Sequence, residues 1–294
     1  MRHTKVGLVC SRVRVEEKML IDAFASRPGV EVVRVDDDLL DAPLSGAAAP
    51  HGAAAQLKGC DVVLLRALGH FRQVALAQLV ESWSLPVVNA SHVIETCGDK
   101  VRTTLALTAA GVPSPSSRLA FTQEAALEAV EELGYPCVIK PPVGSWGRLV
   151  ARVNDRDAAE AVLEHKDLLG GPLHRVIYLQ AHVDKPGRDL RAFVLDGHTV
   201  AAIGRRSDHW VTNTARGARA EAVAVTPELA DLCRAAASAV GGGALAIDLL
   251  EGGDGLLVNE VNATMEFRNS VEPTGVDIPG RLVEHTLRLL ASST

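Results

Sequence analysis

Several patterns that would indicate a membrane protein or a transition-metal site are missing from this chain of 294 residues. No apolar run approaches the roughly 18 residues that a membrane-spanning helix needs, and no secretory signal peptide follows Met1. The five cysteines show no C-x-x-C spacing, and the ten histidines form no H-x-x-x-H or H-E-x-x-H arrangement. We therefore expect a cytoplasmic protein without a zinc site, whose cysteines are buried structural residues.

Two common nucleotide-binding fingerprints are also absent. No G-x-G-x-x-G sequence follows the first predicted strand, and the glycine-bearing loop at residues 144–148 lacks the Walker spacing. The formal net charge of −6 argues against general nucleic-acid binding. The hydrophobic content of 47% and the charged content of 22% are typical of a globular protein, and the length suits one large domain or two to three small ones.

The order of the predicted elements divides the chain into three units. Strands and helices alternate over residues 1–90, which predicts a small parallel sheet covered by helices. Residues 91–182 begin with a predicted helix, His92–Ala110, and continue as a small α+β module that resembles a lid. Residues 183–294 are dominated by strands and end in an amphipathic helix. The predicted fold class is therefore α/β with an α+β part.

A hairpin in the third unit carries a candidate metal site. Ala246–Leu250 and Gly255–Asn262 are short apolar runs joined by glycine-rich residues. Alternation puts Glu260 and Asn262 on one face of their strand, and pairing can bring Asp248 alongside. Two carboxylates and an amide oxygen suit Mg²⁺, although an isolated pattern of this kind is more often a solvent-facing stretch of strand.

Two lysines are candidates for phosphate contacts. Lys140 follows an apolar strand and precedes the glycine-bearing loop, so its ammonium and the loop amides can contact neighbouring phosphate oxygens. Lys100 falls at a helix start between the first two units, where a cleft would open. Each also has an ordinary interpretation, which is a solvated lysine at a strand end for Lys140 and a surface lysine for Lys100.

Cationic and amide side chains are dense between residues 188 and 217. Asp189 and Arg191 share a strand face, which suits a ribose hydroxyl beside a phosphate or carboxylate, although a cross-strand ion pair explains them equally well. Arg206, Asn213 and Arg216 follow in a segment whose composition is typical of a binding loop, with a solvated run of charges as the alternative.

The segment that leaves the hairpin has the polar groups to bind an amino acid. Hydroxyl, amide and guanidinium groups occur at short spacing, and a substrate carboxylate could face Arg268. A capped turn before Pro273 is the alternative. The candidate substrate residues are Thr264, Glu266, Phe267, Arg268, Asn269 and Ser270.

Taken in order from about Lys5 to Leu290, these motifs resemble the ATP-grasp ligases, and more narrowly the RimK branch and its LysX-type members. The closest matches lie at residues 144–148, 209–217, 240–243 and 262–270. The resemblance implies three domains: an N-terminal parallel α/β domain, a small central lid domain and a C-terminal domain with a mainly antiparallel sheet. It also implies that ATP and two Mg²⁺ ions bind between the lid and the C-terminal sheet.

The resemblance further implies residue roles. Asp248, Glu260 and Asn262 would hold the Mg²⁺ ions. Where the family usually has Glu followed by an aromatic residue, this chain has Ala181 and His182, so only backbone contacts to adenine carry over. The implied ATP-binding residues are Lys100, Lys140, Gly144, Ser145, Trp146, Gly147, Arg148, Gln180, Ala181, His182, Val183 and, at the ribose, Asp189. The implied catalytic anion clamp is Arg191, Arg206, Asn213 and Arg216.

A reaction and its partners follow from the same resemblance. The side-chain carboxylate of the C-terminal glutamate of a small acidic LysW-type carrier protein would attack the γ-phosphate of ATP, giving an acyl phosphate. The α-amino group of an amino acid would then displace phosphate. α-Aminoadipate is the leading acceptor, in lysine biosynthesis or a related pathway. A homodimer or homotetramer is expected, and a nucleic-acid or membrane partner is not. The alternatives are a RimK-like glutamate ligase, a ligase of free amino acids and a non-catalytic nucleotide-binding scaffold.

Overall fold

A computed structural model describes residues 3–144, 147–210, 212, 217–253 and 255–292. The first unit alternates strands and helices, namely β1 (Thr4–Val9), α1 (Val15–Ala25), β2 (Val30–Val35), α2 (Gly52–Lys58), β3 (Val62–Leu65), α3 (His70–Ser82) and β4 (Val87–Val88). The strands pair in parallel in the order β2-β1-β3-β4. All four residues of β3 are buried, as expected where helices cover both faces of a parallel sheet. The predicted βαβ alternation is confirmed.

Two helices follow, α4 (Ser91–Gly98) and α5 (Lys100–Ala109), where the sequence predicted one. The predicted single helix was wrong because Asp99 adopts an extended backbone. Its carboxylate accepts hydrogen bonds from the backbone N–H groups of Val101 at 2.8 Å and Arg102 at 3.3 Å, which caps α5. The break places Lys100 at the first position of α5, where its backbone N–H donates to the carbonyl of Pro142 at 2.8 Å.

The lid consists of β5 (Ser117–Ala120), α6 (Gln123–Leu133), β6 (Cys137–Lys140), β7 (Ala151–Val153), α7 (Arg156–Leu169) and β8 (Ile177–Ala181). Its strands pair antiparallel in the order β5-β8-β6-β7. The side chains of Thr122 and Asp155 cap α6 and α7 by accepting hydrogen bonds from backbone N–H groups. The two helices and the sheet enclose a separate apolar core that includes Val130, Leu163 and Leu179.

The last unit contains β9 (Arg188–Leu195), β10 (His198–Arg206), β11 (Arg219–Ala222), α8 (Pro227–Ala239), β12 (Ala244–Gly252), β13 (Gly255–Asn262), α9 (Val271–Thr274) and α10 (Ile278–Ser292). The strands form one antiparallel sheet in the order β11-β10-β9-β12-β13. The predicted hairpin is therefore confirmed. Two short 3-10 helices, Asp37–Leu39 and Pro172–Arg175, complete the secondary structure of the described residues.

The N-terminal and C-terminal sheets share one apolar core. Phe24 of α1, Phe193 of β9, Phe267 and Leu282 of α10 all belong to it. Burial of large apolar side chains is the main favourable contribution to the stability of such a contact, at about 1.5 to 3 kcal/mol for each. These two units are therefore packed together, whereas the lid has its own core.

A buried amide adds a polar link between the same two units. The Asn89 side chain, just after β4, accepts a hydrogen bond from the Ala244 N–H at 2.7 Å. It donates to the carbonyls of Ala244 at 2.8 Å and Ala263 at 2.7 Å. Asn89 thereby fixes the start of β12 and the chain that leaves β13.

The remaining expectations about the fold have mixed outcomes. All five cysteines are buried free thiols, as predicted. Among the helices of the described residues, none has both the length and the apolar character to span a bilayer. The architecture confirms the predicted fold class. The domain limits at residues 90 and 182 stay a prediction.

Candidate active site

A cleft of about 790 Å³ opens where the three units meet. The N-terminal unit contributes the beginnings of α1 and α3, and the lid contributes β6, β8 and the chain after β6. The C-terminal sheet contributes alternate side chains of β9, β10 and β12, because residues two apart on a strand face the same side. From β13 the adjacent residues Asn259 and Glu260 both line the cleft, where the β12–β13 register is irregular. Most of the predicted site residues line this cleft, although they span residues 100 to 270.

The candidate metal residues lie side by side on the C-terminal sheet. Arg191, Asp248 and Glu260 occupy opposite positions on three neighbouring strands. Arg191 donates to both oxygens of Asp248, at 2.7 and 2.8 Å. Burial would raise the pKa of Asp248, but Arg191 and Arg205 outweigh it and lower the pKa to about 2. Asn262 also lines the cleft. The three candidate oxygen ligands from the hairpin therefore all line the cleft, and their binding of Mg²⁺ stays a prediction.

The two predicted phosphate lysines converge from different elements, Lys100 from α5 and Lys140 from β6. The Lys100 ammonium lies 3.0 Å from the Gly144 carbonyl and 3.5 Å from the Glu260 carboxylate. Lys140 donates to the amide oxygens of Gln180 at 2.5 Å and Asn259 at 3.2 Å. Its pKa falls to about 8, first because burial disfavours the charged form and also because Lys100 and Lys185 are near, against the raising effect of Glu260.

Arg205, not the predicted Arg206, is the β10 arginine at the cleft. Arg205 is 4% exposed and donates to Asp189 at 2.6 Å, with a second ion pair to Asp248 at 3.2 Å. The Arg206 side chain is 58% exposed and lies 3.7 Å from Glu221. The choice of Arg206 for the anion clamp was wrong because strand alternation turns adjacent residues to opposite faces.

Asp189 lines the cleft and is already well partnered. Besides Arg205, it accepts a short hydrogen bond from the Thr212 hydroxyl and lies 3.6 Å from the Lys185 ammonium. The Lys185 ammonium donates to the Thr212 hydroxyl at 2.7 Å. The cross-strand ion pair considered as the alternative for Asp189 is thus present, and a ribose contact stays a prediction.

The chain after β13 forms the other end of the cleft. The Thr264 hydroxyl and the Gln73 amide oxygen of α3 are 2.9 Å apart. Glu266 and Arg268 also line the cleft, as do Asn269 and Ser270. Phe267 does not, because its ring is fully buried in the core. The prediction that Phe267 contacts substrate was wrong.

Comparison with known proteins identifies the family. The family model of the RimK-like ATP-grasp domain matches residues 97–286, and that of the LysX preATP-grasp domain matches residues 6–96. The chain belongs to the RimK-like ATP-grasp family. It is therefore an ATP-dependent ligase, and ligases of this family use ATP with Mg²⁺. The prediction of an ATP-grasp enzyme is confirmed.

Similar proteins within the family are named for two different amino acids, alpha-aminoadipate and glutamate. The chain is 36% identical over 226 residues to the alpha-aminoadipate–LysW ligase LysX of Saccharolobus solfataricus, covering 76% of this chain and 82% of that one. It is 30% identical over 285 residues to the glutamate–LysW ligase ArgX of Sulfolobus acidocaldarius, covering 96% and 97%. The crystal structure of a RimK domain ATP-grasp protein from Sphaerobacter thermophilus superposes with a TM-score of 0.80, at 32% identity, covering 97% and 100%.

The donor set of this RimK-like ligase fits a magnesium nucleotide. Among the described residues no three His, Cys, Asp or Glu side chains form a complete metal group. Mg²⁺ usually needs only one or two carboxylates and shares substrate phosphates, which suits Asp248, Glu260 and Asn262. The cationic residues of the same region, which can balance phosphate charge, are Lys100, Lys140, Lys185, Arg191 and Arg205.

The residues predicted to contact adenine begin at Gln180, which accepts a hydrogen bond from Lys140. Gln180, Ala181, His182 and Val183 all line the cleft as β8 ends. The ring of His182 lies 6.3 Å from that of Trp210, and burial lowers the pKa of this histidine. An uncharged imidazole at this position is compatible with a neutral base such as adenine. The contact itself stays a prediction.

Several predicted and unpredicted residues complete the account of the site. Gly144, Gly147 and Arg148 line the cleft, whereas Ser145, Trp146, Asn213 and Arg216 lie outside the described residues. The site residues predicted from the sequence did not include Arg205, Lys185, Thr212 or Asn259. Arg205 and Thr212 lie in the segment whose polar composition was typical of a binding loop, and strand alternation could have separated Arg205 from Arg206. Lys185 and Asn259 carry no local signal.

Proposed function

We propose that this ligase joins the α-amino group of α-aminoadipate to the γ-carboxylate of the C-terminal glutamate of a small acidic LysW-type carrier protein. The observation that carries the proposal is the continuity of the cleft. The Mg²⁺ candidates and phosphate lysines occupy one end, and Thr264, Glu266 and Arg268 occupy the other. An activated carboxylate and an incoming amine can therefore meet near Asn262, which ends β13.

ATP and Mg²⁺, when bound, would supply the phosphoryl group that turns the carrier carboxylate into an acyl phosphate. The residues proposed to hold them are Asp248, Glu260 and Asn262 for Mg²⁺, with two ions expected. Lys100 and Lys140 are proposed to contact phosphate oxygens. Arg191 and Arg205 keep Asp248 ionised and in place, and they supply positive charge beside the transferring group.

The amino acid then has to displace phosphate from the acyl phosphate. We assign its binding to Thr264, Glu266, Arg268, Asn269 and Ser270, with the substrate carboxylate facing Arg268. The reaction would form one amide bond and release ADP and phosphate. Lysine biosynthesis or a related pathway, a cytoplasmic location and a homo-oligomer belong to the same proposal.

Glutamate is the second candidate acceptor. The likeness to the glutamate–LysW ligase extends over 96% of this chain, further than the 76% shared with the alpha-aminoadipate–LysW ligase. The identity to the alpha-aminoadipate–LysW ligase is higher, at 36% against 30% for the glutamate–LysW ligase, and this favours α-aminoadipate. The two acceptors differ by one methylene group, which is worth about 1 to 3 kcal/mol of discrimination.

Release of ADP tests the proposal. The enzyme is incubated with ATP, Mg²⁺ and α-aminoadipate, with a LysW-type carrier or with the same carrier lacking its C-terminal glutamate. We expect ADP only with the intact carrier and more of it with α-aminoadipate than with glutamate. Equal ADP release without any carrier would exclude carrier-dependent ligation, and a preference for glutamate would support the second candidate.

A further inference from the structure

A buried ionic cluster lies beneath the substrate end of the cleft. It consists of Arg14, Glu17, Arg66 and Glu266, which we call the acceptor cluster. Glu17 is 0% exposed and accepts hydrogen bonds from Arg14 at 2.9 Å and Arg66 at 2.8 Å. Burial would raise the pKa of Glu17, but the two guanidinium groups lower it. A charge buried so completely is maintained only by such partners.

Arg66 connects this cluster to the segment after β13. The side chain is 2% exposed and leaves the end of β3. Its Nη1 donates to the Met265 carbonyl at 2.7 Å, across 199 residues of sequence. Its Nη2 lies 3.6 Å from the Glu266 carboxylate. One guanidinium therefore holds the backbone of the proposed substrate segment by a hydrogen bond and forms an ion pair with one of its side chains.

Glu266 is the member of the acceptor cluster that lines the cleft. Arg14 donates to its Oε1 at 3.0 Å, the same oxygen that Arg66 approaches, and 30% of the side chain stays exposed. Glu16 is buried beside it and also lines the cleft, with Arg268 4.0 Å away. Burial raises the pKa of Glu266, and Glu16 raises it further, against the lowering effect of the two arginines. The substrate end therefore presents carboxylate oxygens that attract a cation.

The amine that attacks the carrier enters the cleft as an ammonium group. We propose that Glu17 and Arg66 position Glu266 to bind the ammonium of the acceptor amino acid. This inference rests on the proposed function. A carboxylate oxygen that two arginines already contact is preorganised, so little ordering is needed when the ammonium arrives. Arg66 is thus a positioning residue, and Glu266 contacts the substrate.

The positioning role is tested with Arg66→Lys. Lysine keeps the charge, but it lacks the planar fork that reaches Glu17 and the Met265 carbonyl together. We expect the KM for α-aminoadipate to rise about 10-fold or more, while the KM for ATP changes less than about 2-fold. A simple loss of folded enzyme would lower kcat without separating the two KM values. Equal KM values for α-aminoadipate in the variant and the wild type would overturn the proposal.

Glu17→Gln repeats the test without changing the buried arginine, in case Arg66→Lys does not fold. The amide keeps the size of Glu17 but holds Arg66 less strongly, so the KM for α-aminoadipate should again rise alone. Arg72→Lys is the matched control. Arg72 belongs to the same unit, and its ion pairs with Asp37 and Asp38 lie outside the cleft lining, so both KM values should be unchanged.

Glu266→Gln tests the ammonium contact. The KM for α-aminoadipate should rise about 10-fold to 100-fold, the range of a charge-assisted hydrogen bond. Adipate, which lacks the amino group, should inhibit the variant and the wild type equally. If Glu266→Gln weakens adipate as much as α-aminoadipate, the ammonium contact is wrong. If the wild type transfers no amino acid to any carrier, the proposed function fails instead, which separates the two outcomes.

Discussion

Lys140 is a buried cation whose partners in the protein are mainly uncharged. Its ammonium donates to two amide oxygens, those of Gln180 and Asn259. Burial, Lys100 and Lys185 all lower its pKa, which settles at about 8. Burying a lysine without a strong counter-charge lowers the stability of the ligand-free protein. Such residues are typical of ligand sites, because a bound polyanion supplies the missing counter-charge.

Lys140→Met should therefore stabilise the ligand-free protein and remove its response to nucleotide. The folded state binds fewer protons than the unfolded state between the folded pKa of about 8 and the ordinary 10.5, so wild-type stability rises with pH across that window. The variant should lose this rise, melt higher near neutral pH and show no shift with ATP and Mg²⁺. Thermal unfolding measures all three. Lys18→Met, at an exposed site, is the control. A lower melting temperature with an unchanged ATP shift would contradict the assignment.

Asp248 and Glu260 stand opposite each other, yet their removal should differ in cost. Asp248 compensates Arg191 and buried Arg205, so Asp248→Asn should cost about 3 to 5 kcal/mol. Its lowered pKa means that its contribution is complete above the ordinary value of 3.8 and is lost as the pH falls to about 2. Glu260 lies 3.5 Å from Lys100 and is 28% exposed, so Glu260→Gln should cost less than about 1 kcal/mol.

Urea unfolding and a ligation assay together check this pair. Both variants should abolish ligation, because both remove a proposed Mg²⁺ ligand, but only Asp248→Asn should unfold at lower urea. Equal destabilisation, or ligation by either variant at the wild-type rate, would show that the two carboxylates have been given the wrong roles.

At the scale of the elements, the joint between β4 and β12 depends on a glycine. Gly243 has a φ of +98°, and a Cβ there would lie 2.2 Å from the Asn89 side-chain oxygen. Gly243→Ala should therefore break the hydrogen bonds of Asn89 and cost at least about 2 kcal/mol of unfolding free energy. Gly253→Ala is the control, because no atom lies within 4 Å of its Cβ position. Equal unfolding midpoints for the two variants would show that the close approach of Gly243 and Asn89 does not contribute to stability.

The elements whose signals are local were predicted from the sequence. The parallel sheet follows from alternating strands and helices, and the β12–β13 hairpin follows from short apolar runs around a glycine turn. The break at Asp99 was missed because the apolar pattern of a helix continues through it. Arg206 was predicted in place of Arg205 because the sequence alone does not show which face of β10 meets the cleft.

Contacts between distant segments could not be predicted in this way. No spacing rule links Arg66 to the Met265 carbonyl, and Phe267 looks like a loop residue until the packing of α10 buries it. The buried arginines of the site are set by three-dimensional packing and charge balance. The order of motifs along the chain nevertheless indicated which segments belong together.

At the scale of the whole molecule, the cleft lies between parts of the protein that have separate apolar cores. The N-terminal and C-terminal sheets share a core, and the lid has another. The residues proposed to bind the nucleotide lie on the lid and the C-terminal sheet. The acceptor cluster lies between the N-terminal unit and the chain after β13. Under the proposed function, phosphate chemistry and acceptor selection depend on different contacts, and we expect mutations to separate them.

Intact-mass spectrometry of the carrier tests the central claim most directly. A LysW-type carrier is incubated with the enzyme, ATP, Mg²⁺ and an equimolar mixture of α-aminoadipate and glutamate, with Glu260→Gln as the inactive control. The account predicts one added mass, equal to α-aminoadipate less one water, and none with the variant. A carrier whose mass does not change while the wild-type enzyme consumes ATP would contradict it.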